Sequence, residues 1–376
     1  MSKSYYSLGL MSGTSMDGVD ASIIQSDGET KYKVIMDKYY EYPQGIFQNL
    51  AKLRDKISSS IDLKKFTKEL KKIEKEITLF HSEAVKEIIK KTKVNIDLIG
   101  FHGQTIYHNA KEKISIQLGD GKLLSDLTKK TVVYHFREND LKNGGGGAPL
   151  APIFHKLLIN QKKIKTPILI LNLGGIANWT LLGEADDGKD LHSGDVGPGN
   201  CLIDQWMRKN SKQNYDKDGS TAKSGNINKK ILNIGIDNYI KLIQKEVPNH
   251  NFYRDRSYDV KDFDMSFVHG LSLEDGAATL TEYTSFIISE AINEMHGARK
   301  VVVCGGGRKN NFLLKRISKK LKYSIQPIDN FGIDGDFIES QAFAYLAIRS
   351  YLKLPISFPE TTGVKKSCTG GVIVKI

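Results

Sequence analysis

Cysteine is scarce in this chain, and the three cysteines that occur are far apart. Cys201, Cys304 and Cys368 share no metal-ligand spacing, so free thiols in a reducing cytoplasm are the simplest interpretation. The chain also lacks an apolar run long enough to cross a bilayer. Its opening residues have neither a sustained apolar core nor a small-residue cleavage site. These absences argue against a membrane partner and predict a cytoplasmic protein.

Acidic residues are outnumbered by basic ones, and the formal net charge is +12 over 376 residues. A charge of this sign could indicate a nucleic-acid partner. However, the lysines are spread along the chain and are densest in one helical region, where glutamates are interleaved. We therefore interpret the excess as a solvated surface and predict no nucleic-acid partner. The length predicts two domains, each large enough for its own core.

The chain contains several glycine turns, and the first of them lies near its start. Gly13 and Gly18 bracket two hydroxyls and a carboxylate between two strand-like segments. A turn of this kind lets backbone N–H groups converge on an anion, and the hydroxyls of Thr14 and Ser15 would add donors to phosphate oxygens. An ordinary β-hairpin loop is the alternative, because Ser-Gly and Asp-Gly pairs mark turns generally.

Two further glycine turns follow strands later in the chain. Pro167–Leu182 has a strand, the pair Gly174-Gly175 and a second strand, which repeats the layout of the opening hairpin. Gly305–Gly307 follows the apolar strand Val301–Cys304. Its glycines lack the G-x-G-x-x-G spacing of dinucleotide-binding folds, and no Walker sequence G-x-x-x-x-G-K-[ST] occurs in the chain. The repeated layout predicts two similar halves.

The run Asn143–Pro149 contains four consecutive glycines. Such a run cannot stiffen a strand or a helix, so it indicates a linker, a hinge or a loop that surrounds a ligand. We place the domain boundary here. The predicted N-terminal lobe is 1–143 and the C-terminal lobe is 144–376, with the end of the chain free to pack back on the first lobe.

Three polar residues are candidates for a site, and each has a structural alternative. Asp195 lies among glycines before a helix and suits either an Asx-turn or a general base. Arg137 follows a strand, where it could clamp a carboxylate or phosphate or form a surface ion pair. Glu339 opens a helix and either interacts with the helix dipole or points into a cleft. The segment Tyr253–Asp264 could be a surface loop or a substrate lid.

A long region, Phe47–Lys91, has a helical pattern with an apolar stripe. A stripe of this kind packs on a sheet more readily than it forms a coiled coil. His81 lies beside the stripe, and we interpret it as a partly buried structural histidine.

Three glycine turns in two similar halves resemble the duplicated α/β fold of actin, hexokinase and the Hsp70 ATPase. That likeness predicts a two-lobed, ribonuclease H-like architecture with ATP in the interlobe cleft. Eight motifs span nearly the whole chain: GLMSGTSMDGVD, FHGQTIYH, GDG, GGGGAPLAP, NLGGIAN, DVGPGN, CGGGRKN and ESQAFAYLA. Together they closely resemble the anhydro-N-acetylmuramic acid kinase family.

The resemblance implies a sugar kinase of peptidoglycan recycling that uses ATP and Mg²⁺. Its small-molecule substrate would be 1,6-anhydro-N-acetylmuramic acid, converted with water to N-acetylmuramic acid 6-phosphate. By the resemblance, Asp195 is the general base, and Thr105, Arg137 and Glu339 bind the sugar. The residues that would bind ATP are Gly13, Thr14, Ser15, Met16, Asp17, Gly18, Val19, Asp20, Gly174, Gly175, Gly305, Gly306 and Gly307.

The chain departs from the family pattern at two positions. His135 stands where that pattern more often has Asp, and Gly146 replaces a frequent Gln. By the resemblance, both departures affect contacts near the sugar rather than nucleotide use. The metal ligands are not assigned among Asp17, Asp20 and Asp195, and a homodimer is compatible with the sequence. The alternatives are a kinase for a non-anhydro hexose and an ATPase switch of the actin or Hsp70 type.

Overall fold

The computed structural model describes residues 3–184, 190–246, 258–295 and 300–376. The chain divides into two compact units. The first consists of the residues up to Ile164 together with Phe337–Ile376, and the second consists of Lys165–Asp336.

Strands and helices alternate along both units. The strands are β1 (Tyr5–Ser12), β2 (Gly18–Ser26), β3 (Tyr32–Glu41), β4 (Leu98–Asn109), β5 (Ile114–Leu118), β6 (Thr131–Tyr134), β7 (Ile168–Leu173), β8 (Ile176–Leu182), β9 (Leu191–Pro198), β10 (Lys300–Cys304), β11 (Ser324–Pro327) and β12 (Val372–Val374). The helices are α1 (Gln44–Lys56), α2 (Ser60–Lys65), α3 (Thr67–Thr92), α4 (Gly121–Thr128), α5 (Glu138–Lys142), α6 (Pro152–Gln161), α7 (Cys201–Asn210), α8 (Ser220–Ser224), α9 (Lys229–Glu246), α10 (Leu273–Glu294), α11 (Asn311–Ser318), α12 (Ile338–Tyr351) and α13 (Pro359–Thr362). Within the described ranges, no helix combines the length and apolar composition needed to cross a bilayer.

The sheet of the first unit has the order β12-β6-β4-β1-β2-β3, with β5 paired to β4. Strands β1, β2 and β3 are antiparallel neighbours, whereas β4 is parallel to both β1 and β6. Helix α12 packs directly on this sheet. A Cβ on Gly100 would lie only 2.2 Å from the Phe343 carbonyl oxygen, so glycine in β4 permits the close approach. The sequence of α12 is apolar on most sides, which allows the helix to be buried almost throughout.

The sheet of the second unit has the order β11-β10-β7-β8-β9. Here β7, β8 and β9 are antiparallel neighbours, and β10 is parallel to both β7 and β11. This is the same succession of antiparallel hairpin strands and parallel crossover strands that β3-β2-β1-β4-β6 forms in the first unit. The predicted duplicated α/β fold is therefore confirmed.

The division of the chain into two units does not fall at the glycine run. The division falls after Ile164 and again after Asp336, rather than between 143 and 144, because α12 returns to the first sheet. The run Asn143–Pro149 belongs wholly to the first unit, and its backbone is bound there. The Gly147 amide donates to Asp140 Oδ1 (2.6 Å), and the Gly146 amide donates to the Thr362 carbonyl (2.7 Å). The run is a loop of the first unit that hydrogen bonds hold in place. The structure therefore does not support the prediction that it links two domains.

The region predicted to be helical forms three helices, α1 to α3. His81 on α3 is fully buried instead of partly buried, and its Nδ1 lies 2.8 Å from the Ile77 carbonyl oxygen. Its ring packs 4.9 Å from that of Phe101. Burial lowers the pKa of His81 to about 4, because a charged imidazole would lose its hydration. The folded protein therefore holds this histidine neutral.

We expect stability to fall with pH below the ordinary histidine pKa. The pKa of His81 is lower in the folded protein than in the unfolded chain, so acid protonates the unfolded chain first and favours unfolding. The contribution of His81 to the free energy of unfolding is therefore complete above about pH 6.5 and is lost as the pH falls toward 4. At pH 5 the loss from His81 alone would be about 2 kcal/mol. Unfolding curves at pH 7.5 and 5 should therefore differ less for His81→Asn than for the wild type. An unchanged pH dependence in that variant would contradict the assignment.

Candidate active site

The first glycine turn connects β1 to β2, and the surrounding protein binds its carbonyl oxygens. The Gly13 oxygen accepts from Gln104 Nε2 (2.9 Å), and the Thr14 oxygen accepts from Arg54 Nη1 (2.8 Å). The Gly18 oxygen accepts from Ser12 Oγ (2.7 Å). In a trans peptide the N–H of the next residue points opposite to the carbonyl. Binding each carbonyl oxygen therefore points the following N–H group away from the residue that binds it, and N–H groups fixed in this way are what an anion cradle requires.

The two hydroxyls of this turn do not have the same role. Ser15 Oγ donates to Asp17 Oδ1 at 2.5 Å, so in this structure it orders the turn's own carboxylate. Met16 adopts a left-handed backbone with φ of 59° and is buried in the core of the first unit. The Ser15 hydroxyl, which we expected to donate to phosphate, therefore already has a partner within the turn. Thr14 is the simpler candidate for a phosphate donor.

Arg54 is a residue of this site that sequence reasoning missed. It lies on α1, 40 positions after Thr14, whose carbonyl oxygen it binds. Its helix reads as an ordinary amphipathic surface helix, so nothing local marks it. Only the fold brings a guanidinium to the turn.

The three candidate sugar residues all lie in the first unit. Thr105 is on β4, and its hydroxyl accepts from Gln117 Nε2 (3.3 Å). Arg137 immediately precedes α5 and donates to the Gly147 carbonyl oxygen (2.8 Å) and to His102 (3.0 Å). Glu339 is half-buried in the first turn of α12. His102 links Arg137 to β4, the strand on which Thr105 also lies.

In the second unit, the turn between β7 and β8 packs against the end of β9. The Gly174 carbonyl accepts from the Asn200 amide and the Gly175 carbonyl from the Gly199 amide, both at 2.9 Å. A Cβ on Gly199 would lie 2.3 Å from the Gly174 oxygen. The NLGGIAN and DVGPGN motifs are therefore parts of one structure, and the carbonyls of this turn are bound by the protein as in the first unit.

The third glycine turn, Gly305–Gly307, joins the same group. A Cβ on Gly307 would lie 2.6 Å from Asn200 Nδ2, and Cys304 Sγ lies 3.8 Å from Asn172 Oδ1. The structure thus brings all three glycine motifs of the second unit together around two asparagines.

A buried arginine supports the third turn, and the sequence did not indicate it. Arg308 makes two hydrogen bonds to Asp329, of 2.7 and 2.9 Å, and one to Asp336 of 2.5 Å. Its Nη1 also donates to the Gly305 carbonyl (3.2 Å). The guanidinium therefore joins the glycine turn to the loop that precedes α12. Three aspartates within eight positions of the sequence were the available signal.

Asp195 lies within strand β9 and is 6% exposed. Its Oδ2 accepts the backbone N–H of Tyr258 at 2.8 Å, a contact across 63 positions rather than a local Asx-turn. Tyr258 belongs to the segment Tyr253–Asp264, of which residues 253–257 lie outside the described residues. A buried carboxylate held from outside its own strand has the fixed position that a general base needs.

The sequence left the metal ligands unassigned, and the described residues form no group of three or more His, Cys, Asp or Glu side chains that could hold an ion. Asp17 and Asp20 lie in the first unit and Asp195 in the second. Mg²⁺ is usually held by one or two carboxylates together with substrate phosphates. A single carboxylate can be enough for a site of that kind, and Asp17 lies in the first glycine turn, between β1 and β2.

Comparison with known proteins agrees with the sequence motifs. A family model described as anhydro-N-acetylmuramic acid kinase matches residues 5–375. The chain is 55% identical to the anhydro-N-acetylmuramic acid kinase of Pelagibacter ubique, with 100% of both chains covered. It is 38% identical to the enzyme of the same name from Zymomonas mobilis, with 97% and 98% covered. 

Similar solved structures are much more distant. One is the activator of the 2-hydroxyisocaproyl-CoA dehydratase from Clostridium difficile with bound ADPNP, at 13% identity and a TM-score of 0.44, covering 91% of this chain and 94% of that one. Another is a ROK family protein from Streptococcus pneumoniae, at 10% identity and a TM-score of 0.33, covering 91% and 98%. The fold assignment above rests on the strand order instead.

We predict that Arg54→Gln weakens ATP use. Without the guanidinium the Thr14 carbonyl is no longer held, and the KM for ATP should rise about tenfold, which corresponds to about 1.4 kcal/mol. Steady-state kinetics with varied ATP measures this. The matched control is Lys56→Gln, a change on the same helix at an exposed residue whose partner is Glu69. Equal ATP KM values for the two variants would contradict the role of Arg54.

Proposed function

The chain belongs to the anhydro-N-acetylmuramic acid kinase family, and we propose how its glycine turns, Asp195 and Arg137 share the work of the reaction. It is a sugar kinase that uses ATP. It converts 1,6-anhydro-N-acetylmuramic acid and water to N-acetylmuramic acid 6-phosphate, a step of peptidoglycan recycling. The observation that carries the assignment of roles is that the first hairpin of each sheet ends in a glycine turn whose carbonyl oxygens are bound by the protein.

The glycine turns bind the nucleotide in this proposal. Phosphoryl transfer depends on positioning and on stabilising charge more than on covalent chemistry. Backbone N–H groups of Gly13–Asp20 and of Gly174-Gly175 would donate to phosphate oxygens. The turn Gly305–Gly307, supported by Arg308, would lie beside the adenosine. Oriented peptide dipoles can do this without the reorganisation that flexible side chains require.

Mg²⁺ is part of the proposal. Asp17 and Asp20, at and just after the first turn, would hold it, directly or through water, with the phosphates completing its shell. When bound, the ion neutralises phosphate charge. Asp17 already accepts the Ser15 hydroxyl, which orients one of its oxygens and leaves the second for another partner.

Asp195 acts as the general base in this proposal. It takes a proton from a water whose oxygen bonds to C1 of the sugar. The C1–O6 bond breaks, O6 takes the γ-phosphoryl group, and ADP leaves. The Tyr258 amide bound to Oδ2 sets the direction of the carboxylate. Thr105, Arg137 and Glu339 would bind the sugar, with Arg137 suited to an anionic group on it.

The cytoplasm is the compartment we propose for the reaction. Cys201, Cys304 and Cys368 are all free thiols in the structure, and the first two are buried, as in a protein of a reducing compartment. A homodimer stays a prediction.

We predict that Asp195→Asn removes turnover and leaves ATP binding intact. The change keeps the size of the side chain but removes the base, and general-base contributions are about 10² to 10⁴-fold. Incubation with ATP, Mg²⁺ and the anhydro sugar, followed by detection of a phosphorylated reducing product, measures the reaction. ATP affinity and melting temperature are measured on the same preparation.

The matched control is Asp216→Asn in the same unit. Asp216 is as buried as Asp195 and accepts the backbone N–H groups of Thr221 and Ala222, so its loss should affect stability rather than turnover per folded molecule. A folded Asp195→Asn enzyme that works near the wild-type rate would end the general-base assignment. Phosphorylation of a non-anhydro hexose, or ATP hydrolysis without a sugar product, would contradict the proposed reaction.

A further inference from the structure

His102, in the FHGQTIYH motif, contacts the candidate sugar residue Arg137 directly. Arg137 Nη2 lies 3.0 Å from His102 Nε2, and His102 Nδ1 lies 2.7 Å from the Gly103 carbonyl oxygen. His102 is 4% exposed, and its ring packs on that of Phe343 with centroids 4.5 Å apart. The ring is therefore held on three sides.

These two hydrogen bonds determine where the proton of His102 lies. A carbonyl oxygen can only accept, so Nδ1 carries the hydrogen and donates it to Gly103. A guanidinium can only donate, so Nε2 carries a lone pair and accepts from Arg137. Burial and, after it, the charge of Arg137 lower the pKa of His102 to about 3. The acceptor on Nε2 is thus present throughout the physiological range.

The second acceptor for Arg137 is equally rigid. Its Nη1 donates to the Gly147 carbonyl oxygen at 2.8 Å. The amide of the same residue is bound by Asp140 Oδ1, whose carboxylate also accepts the Thr362 hydroxyl. The tied glycine run therefore presents a carbonyl, and β4 presents an imidazole, to one guanidinium. Both acceptors are rigid and neither carries a net charge, so they orient the guanidinium.

We propose that His102 is a positioning residue that fixes the guanidinium of Arg137 for an anionic group of the sugar substrate. This inference rests on the proposed function, because it assigns Arg137 to the sugar. It gives the FHGQTIYH motif a role that the chemistry at Asp195 and the glycine turns does not use. It also explains why the glycine run is tied to Asp140 and Thr362 rather than left mobile.

Two substitutions test the two ring nitrogens of His102 separately. His102→Asn keeps a donor near the Nδ1 position and loses the acceptor toward Arg137. His102→Gln can place its side-chain oxygen near the Nε2 position and so restore that acceptor. We expect His102→Asn to lower kcat/KM for the anhydro sugar about tenfold or more, with the KM for ATP within twofold of the wild type. His102→Gln should recover most of the loss.

A double-mutant cycle with Arg137→Ala tests whether the effect runs through the arginine. In that background, His102→Asn should cause no further loss in kcat/KM for the sugar. The control is His81→Asn, another fully buried neutral histidine of the same unit, which contacts Ile77 and Phe101 instead. Its sugar and ATP kinetics should stay near the wild type. Equal losses in the two His102 variants, or an undiminished loss in the Arg137→Ala background, would overturn the proposal.

A measurement on the wild-type protein does not depend on any variant folding. The ¹⁵N NMR shifts of His102 should report the Nδ1-protonated neutral tautomer without change between pH 5 and 8. An Nε2-protonated tautomer would overturn the proposal. If the wild type itself phosphorylates no anhydro sugar, the proposed function fails. If it does, and His102→Asn matches it, only the role of His102 fails.

Discussion

The structure depends on the way donors from distant segments bind the carbonyl oxygens of the glycine turns. A glycine-rich turn alone has many conformations of similar energy. Gln104 and Arg54 restrict the first turn, and the amides of Gly199 and Asn200 restrict the second. Because each peptide plane has its C=O and N–H on opposite sides, binding the oxygens also aims the N–H groups. The phosphate cradle that we propose is a consequence of these contacts.

Helix α12 also packs closely on the first sheet, and this contact too joins segments that are far apart in the sequence. The helix can lie on β4 because Gly100 has no side chain in the way. It carries the chain back to the unit in which it began, so the last forty residues complete the first sheet with β12. The glycine run beside that returning segment gains partners such as Thr362 and becomes an ordered loop. A run that looks flexible in the sequence is therefore held by Thr362, a residue near the other end of the chain.

Burial also sets the chemical state of the polar groups. His81 and His102 have low pKa values because the interior excludes water, and they stay neutral. Arg308 is buried as well, but two aspartates and a carbonyl satisfy its charge. The neutral ring of His102 accepts from Arg137, whereas carboxylates accept from Arg308. Arg308 also donates to the Gly305 carbonyl oxygen and so supports the third glycine turn.

The sequence by itself determined the strands, the three glycine turns and the duplication, because these follow from local apolar patterns and from glycine's conformational freedom. The motif order also identified the family and singled out Asp195. Only the tertiary structure decided that the boundary lies after Ile164, that Arg54 and Arg308 support the turns, that Ser15 pairs with Asp17, and that His102 holds Arg137. Apart from the pairing of Ser15 with Asp17, each of these depends on how segments meet in space rather than on the order of neighbouring residues. No local pattern encodes such a contact, since the same arginine or histidine on another fold would face solvent.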